Sequence, residues 1–372
     1  MAEIESALLI RGGSVISLAT GRAEQKDILI EHGMVLAVEN KLEIKNSGKV
    51  IDASGMYITP GWVDAHAHVY ESSSTIGVCA DSMASSGVTW VADAGTSGAY
   101  NFKDMKERVI RSSRINVKAY LHISKWGITK ECGELWDFEN IDKEACMDTC
   151  LKYKEDIIGL KVRIDPRVCS DEERAMKILR ELGDKTGLPV VVHASRSSLP
   201  LDDVLSYLKK GDIYAHSYAD KTPGILDREG CIKQSAIDAR KRGVIFDLSH
   251  GNGNFSFKVA EKALEQGFAV DMISTDIHVN SRSNVVDLAS TMSKMMCLGL
   301  DLTKILQRVT LFPAEILGLK EKGLEIIPGQ KADLTGFYIE NGTFDLRDSD
   351  GDRRTAKQRF VNRFTVLGDM LL

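Results

Sequence analysis

Six positions in this 372-residue chain carry side chains suited to holding metal ions: His66, His68, Lys161, His193, His216 and Asp276. Two histidines one residue apart in an extended strand project from the same face, so His66-Ala67-His68 is a chelating pair. His193 closes the apolar run Val190-Val191-Val192, His216 closes Ile213-Tyr214-Ala215, and Asp276 closes Met272-Ile273-Ser274-Thr275. A single histidine at such a place is more often a hydrogen-bonded structural residue, and a single aspartate there is often a helix cap. A His-x-His pair, two further histidines and an aspartate, each ending a separate run, are hard to produce by unrelated structural choices. Their joint chemistry is metal binding. Lys161 ends Ile158-Gly159-Leu160. On residue type alone it reads as a snorkelling lysine with its ammonium in water. Aimed into a cationic site, it is desolvated, its neutral amine is favoured, and that amine adds carbon dioxide to give a carbamate able to bridge two metals.

The elements that must position these residues are eight short apolar runs, near Trp62 to His66, Thr89 to Asp93, Val117 to Ile123, Ile157 to Val162, Pro189 to His193, Ile213 to His216, Val244 to Leu248 and Asp271 to Thr275. Stretches of helical length alternate with them, the pattern of βα units around a buried parallel sheet. Ser170 with Glu173 three residues on reads as a capping box opening a helix to about Lys185; further helices are expected at Leu201 to Lys210, Cys231 to Arg242 and Phe257 to Gln266. Eight units favour a closed barrel, and no glycine-rich phosphate loop follows the first strand to suggest a dinucleotide fold. Before and after lie β-rich pieces such as Leu8-Leu9-Ile10-Arg11 and Phe337-Tyr338-Ile339. The expected architecture is α/β: a (β/α)₈ TIM barrel over residues 60–323, with a small β-sandwich built from residues 1–59 and 324–372. In such barrels the active site lies at the strand C-termini, where the six residues fall.

Composition narrows the partner. Lysine plus arginine number 48 against 53 aspartate plus glutamate, leaving no basic stripe for nucleic acid and no cationic face for a membrane. A small-molecule substrate is expected. Neither a signal peptide nor an apolar run of membrane-spanning length is apparent, and seven cysteines without a Cys-x-x-Cys pair argue against a disulfide framework. These features predict a cytoplasmic protein with reduced thiols, and leave open a homo-oligomer.

The motif Pro60-Gly61-Trp62-Val63-Asp64-Ala65-His66-Ala67-His68 resembles the first-strand signature of the amidohydrolase superfamily, and Ile327-Pro328-Gly329-Gln330-Lys331-Ala332-Asp333-Leu334 is similar to its return into the β-domain. Gly159-Leu160-Lys161-Val162-Arg163, Val192-His193-Ala194-Ser195 and Ile273-Ser274-Thr275-Asp276-Ile277-His278 resemble the amidohydrolase/deacetylase branch, whose site is binuclear with a carboxylated lysine. The resemblance implies that His66, His68 and Asp276 hold one metal, His193 and His216 the other, and carboxylated Lys161 both. Zinc suits these donors best, with manganese or iron as substitutes. It implies hydrolysis by a hydroxide between the metals, with Asp276 as the catalytic proton shuttle.

Departures from relatives within the superfamily select the reaction. Dihydroorotases carry an arginine two residues after the second histidine, where this chain has Tyr70. Mononuclear deaminases usually carry a glutamate three residues after a metal histidine; here Arg196 follows His193 and Ala219 follows His216 at that spacing. What remains is hydrolysis of an ester or linear amide, such as deacetylation of a small carboxylate-bearing substrate. A cyclic-amide hydrolase and a non-catalytic barrel scaffold are the rival readings. For substrate binding, Arg163 reads either as a carboxylate partner or as half of a structural ion pair. Tyr70 is a candidate hydrogen-bond donor. His250 and Asn252 belong either to a substrate loop or to a plain glycine turn, and His278 reads as a partner supporting the ligands.

Overall fold

The computed structural model describes residues 2–3, 7–44, 48–72, 74–129, 133–319 and 324–372; Gly323, the last residue of the expected barrel segment, lies outside them. Seven strands, Trp62–Ala67, Val88–Gly98, Asn116–His122, Ile157–Arg163, Val190–His193, Ile213–Tyr214 and Ile245–Phe246, pair in chain order, all parallel. Every residue of the first two is buried, as an apolar sheet covered on both faces requires. Alternation along the strands sorts side chains between two cores. Leu160, Val162, Val190 and Val192 pack in the larger cluster towards the helices, whereas Val63, Ala65, Tyr120, Val191 and Ile213 share a smaller one. Lys161 and His193, of opposite parity to their outward neighbours, thereby turn towards the interior.

The expected eighth run is not a continuous strand. Its residues nevertheless bridge both ends of the sheet: Met272 pairs with Asp247 and Ile277 with Ala67, while the Asp276 amide donates to the His66 carbonyl at 2.6 Å. Extended backbone is interrupted because Asp276 stands at φ +48°. The sixth and seventh strands are also shorter than expected, and left-handed residues follow them at His216 (φ +62°) and Ser249 (φ +44°). The curled sheet thus breaks where its functional side chains must turn inwards.

Helices run between the strands at Glu172–Thr186, Leu201–Ser206, Gln234–Arg242 and Phe257–Glu265. The cap of the first is Asp171, not Ser170. Asp171 lies in extended conformation, so its carboxylate accepts from the Arg174 amide, and the Ser170 hydroxyl donates instead to the Leu135 carbonyl. The described helices include none long and apolar enough to cross a membrane.

Strands from both ends of the chain join in a nine-stranded sheet. Ala7–Ile16 pairs antiparallel with Ala23–Glu31 and parallel with Tyr57–Pro60, which pairs in turn with Asp333–Arg347. Asp333–Arg347 and Arg353–Leu367 form a long hairpin. Leu8, Ile10, Ile28, Ile30, Leu334 and Val366 fill a core separate from that of the parallel sheet. Asp333 ties the two sheets together, accepting from Thr89 Oγ1 at 2.6 Å and Trp90 Nε1 at 3.0 Å.

Candidate metal centre

The ends of the first and last of these parallel elements bring His66, His68 and Asp276 together, with one ligand atom of each within 4.8 Å of the others. His68 Nε2 is 3.2 Å and His66 Nε2 3.7 Å from Asp276 Oδ1. Lys161 Nζ lies 3.4 Å from His66 Nε2. The His216 ring is 5.4 Å from that of His66 and 4.2 Å from that of His193, centroid to centroid. All six expected ligands therefore converge. Parallel register explains part of this: Lys161 is aligned with Val191 and Arg163 with His193, so neighbouring strands end at one level.

Each of several ligands is aimed by buried polar groups that sequence reasoning did not single out. His68 Nδ1 is 2.8 Å from Thr96 Oγ1, which donates to Asp93 at 2.7 Å. His66 Nδ1 is 2.9 Å from Ser249 Oγ, which donates to Asp247; Ser274 donates to the other oxygen of that carboxylate. His216 Nδ1 donates to the Ser249 carbonyl at 2.7 Å, leaving Nε2 as its acceptor nitrogen. Asp64 accepts from the hydroxyl and amide of Thr275, fixing the backbone that presents Asp276. Fixing one imidazole nitrogen by a hydrogen bond selects the tautomer that frees the other for a metal. A carboxylate inside or at the end of an apolar run, as at Asp64, Asp93 and Asp247, is the signal that could have found them.

The electrostatics suit a cation. Burial, with the Lys161 charge nearby, holds His66 well below the ordinary imidazole range. Burial and the adjacent His216 do the same to His193, and burial takes His216 to about 3. These imidazoles are neutral donors at pH 7. Burial lowers Lys161 to about 8, so its free amine is accessible near neutrality. Burial acts to raise Asp276, but the neighbouring His68, His66 and His216 outweigh it, and the carboxyl lies well below its usual range. His216 Nε2 is buried without a hydrogen-bond partner among the described residues, as a donor atom reserved for an ion would be. The donor set, its neutral imidazoles and this orphaned nitrogen fit divalent metal.

Above these residues opens a cavity of about 400 Å³ whose wall includes Arg163, Arg167, Arg196, Asn252, Asn254 and His278. Arg163 is at this wall, yet its guanidinium forks onto the buried Glu134 at 2.6 and 2.8 Å. Asn252 also lines the cavity and accepts from Asn284. Tyr70 and His250, expected at the substrate, are committed elsewhere. The buried Tyr70 hydroxyl donates to Asp104 at 2.7 Å, and His250 bonds Lys294 through Nε2 and Gly251 through Nδ1. Asn254 belongs to the same loop as His250 and Asn252, whereas Arg167 and Arg196 were not anticipated. Neither were Ser349 and Asp350, at the tip of the terminal hairpin, which complete the wall from far along the chain.

Comparison with known proteins agrees with this geometry. Residues 57–228 match the amidohydrolase family. A protein of Enterococcus faecalis named deacetylase is 33% identical over 374 residues, covering 98% of each chain. Two solved structures superpose over nearly all of both chains. One, described as a dihydroorotase, has a TM-score of 0.91 and 30% identity, with 99% of this chain and 98% of the other covered. The second, described as an adenine deaminase, has a TM-score of 0.89 and 31% identity over 99% and 100%. A relative this similar along the whole length leaves one assignment: the chain belongs to the amidohydrolase family, whose members hydrolyse their substrates with divalent metal.

Proposed function

We propose that this chain removes an acyl group, such as acetyl, from a small anionic ester or linear amide, using two zinc ions held by His66, His68, His193, His216, Asp276 and the carbamate of Lys161. The observation that carries this reading is the convergence of four histidines, a lysine amine and one carboxylate beneath a wall bearing three arginines. The similarity to a deacetylase over the full chain supports it. The parallel sheet, closed through residues 272–277, is taken as an eight-unit barrel over residues 60–323. The terminal segments 1–59 and 324–372, with their own core, are taken as a β-sandwich.

Metal in this site supplies a water active near neutral pH and polarises the scissile carbonyl. The chain's own groups do the rest. Asp276 takes the proton lost by the attacking water and returns it to the leaving oxygen or nitrogen. Asp93 through Thr96, and Asp247 through Ser249, hold His68 and His66 in one tautomer and orientation. Lys161 is given room by Gly95, where a Cβ would stand 2.7 Å from its Cγ. Ring opening of dihydroorotate is disfavoured because Tyr70 occupies the place of a carboxylate-binding arginine and is spent on Asp104.

Metal analysis of protein produced with bicarbonate tests the site: two equivalents are expected, and at most one in Lys161→Ala, with partial recovery of the second and of turnover on adding a short carboxylic acid. One equivalent or none in fully loaded wild type, or full activity in Lys161→Ala, excludes the binuclear site. A screen of O-acetyl and N-acetyl acids against dihydroorotate, hydantoin and adenine tests the reaction; preference for a cyclic amide or adenine overturns the acyl assignment.

A further inference from the structure

Three arginines line the cavity above the metal ligands, and two are already neutralised from within the protein. Arg163 forks onto Glu134, and Arg167 forks onto Asp165. Arg196 makes neither a hydrogen bond nor an ion pair with any described residue. It stands three residues beyond His193, so the strand that delivers a metal ligand also delivers this guanidinium.

Its backbone is held for the purpose. Arg196 sits at φ +70°, a region that non-glycine residues adopt only when their surroundings impose it. The residues that follow it are anchored by Glu172, a buried carboxylate at the start of the helix Glu172–Thr186. One of its oxygens accepts from Ser197 Oγ at 2.7 Å and from the amide and hydroxyl of Ser198, each at 2.8 Å. The turn is closed by the Ser197 amide donating to the Ala194 carbonyl. From it the guanidinium reaches across the mouth of the cavity, where a Cβ on Gly253 would stand 3.3 Å from its Nη2. Beside Gly253, Asn254 also lines the cavity, and its buried Oδ1 has no hydrogen-bond partner among the described residues. Asp165, already forked by Arg167, feels the Arg196 charge without pairing with it, so a strained cation that shares a cavity wall with an unsatisfied amide over a metal centre is arranged for a ligand that brings a negative charge and a polar group.

We infer that Arg196, not Arg163, is the residue that binds the substrate's carboxylate and selects acylated acids over their neutral counterparts. This rests on the acyl-hydrolase reading for the identity of the reaction, but the anion site itself does not. A planar guanidinium donates two parallel N–H bonds to a carboxylate, and losing such a charge-assisted contact reduces binding by about 10- to 100-fold.

The test compares zinc-loaded wild type with Arg196→Asn, which keeps a side chain tolerant of left-handed backbone, and with Arg196→Lys. Paired substrates are O-acetyl lactate and its methyl ester, with N-acetylalanine and its methyl ester as the amide pair. In Arg196→Asn, kcat/KM on the free acids is expected to fall about 10- to 100-fold, mainly through KM, and to stay within about three-fold on the methyl esters. Arg196→Lys restores part of the loss. An equal loss on acids and esters, or none on either, overturns the inference. Calorimetric titration with lactate separates the two readings. If wild type hydrolyses none of these substrates but binds lactate, and Arg196→Asn weakens that binding at least ten-fold, the anion site stands and the acyl reading falls. Lactate binding unchanged in Arg196→Asn, or no binding of lactate or N-acetylalanine to wild type, overturns the anion site.

Discussion

The Asp276 carboxylate fills the space that a side chain at Gly251 would need. A Cβ at Gly251 would lie 2.4 Å from Asp276 Oδ2, and the residue stands at φ +56°. Alanine there meets two obstacles: the left-handed backbone, about 1 kcal/mol, and a contact that only displacement of the carboxylate relieves. Gly251→Ala is therefore expected to lower kcat/KM by about 100-fold or more while remaining folded, measured by steady-state kinetics beside a thermal melt. Gly267→Ala is the control, since Gly267 has a similar φ of +74° but open space around it. It should show the backbone penalty in the melt and normal turnover. If Gly251→Ala keeps turnover within three-fold, close fit to the loop does not hold Asp276. The ligands were legible in the sequence because each is a polar residue where an apolar run stops. Gly251 was not, because in sequence a glycine that makes room for a carboxylate looks the same as a glycine in a turn. Arg163 was legible as a carboxylate partner or half of a structural ion pair, and the second reading holds, but that its partner is Glu134, 29 positions away, was not legible.

Strands and helices were read from periodicity with good success where they are long, as for Ile157–Arg163 and Glu172–Thr186. The short sixth and seventh strands and the broken eighth run departed from expectation because left-handed residues at the site override an apolar pattern. The helix Leu288–Cys297 was not anticipated, and it carries the element that braces the site loop. From it the buried Lys294 Nζ reaches His250 Nε2 at 2.8 Å and donates to the Asn284 carbonyl at 2.7 Å, while Asn284 holds Asn252. Burial lowers Lys294 to about 8, against the opposing pull of Asp348 and Asp287. The sign of the resulting pH dependence follows. Between about pH 8 and 10.5 the unfolded chain keeps the lysine proton that the native chain has released, so this group makes stability rise with pH across that window, by at most about 1.4 kcal/mol per pH unit. Below pH 8 both states hold the proton and the penalty is constant. Lys294→Met is expected to remove this rise, as judged from urea unfolding at pH 7, 8, 9 and 10. Curves for variant and wild type that run parallel through the window would contradict the buried, reluctant ammonium.

At the scale of the whole molecule, the terminal sheet is more than a platform for the parallel one, because its long hairpin bends back to the cavity. The sequence signalled that both chain ends return to strands. It carried no sign that the turn between Asp333–Arg347 and Arg353–Leu367 would form part of the site wall, since contacts across some 90 residues leave no local pattern. The turn is docked by the buried Asp348, whose carboxylate accepts from the amides of Phe257 at 2.9 Å, Asp350 at 3.0 Å and Asp352 at 2.8 Å. Ser349 then donates to the Gly251 carbonyl at 3.1 Å, and Asp350 pairs with Lys221 at 2.6 Å. The hairpin tip thus leans on the same loop that borders Asp276. Removing the carboxylate leaves the Phe257 amide, at the start of a helix, without its acceptor, a loss of about 1.5–3 kcal/mol for a hydrogen bond to a charged group. Asp348→Ala should therefore melt earlier and bind substrate more weakly, with KM raised about ten-fold, because the wall shifts while the metal ligands on the parallel strands do not. Metal content separates this from general damage. Two equivalents retained with a raised KM place the hairpin tip in substrate binding alone, whereas parallel loss of metal and turnover would show that the terminal sheet and the metal centre stand or fall together.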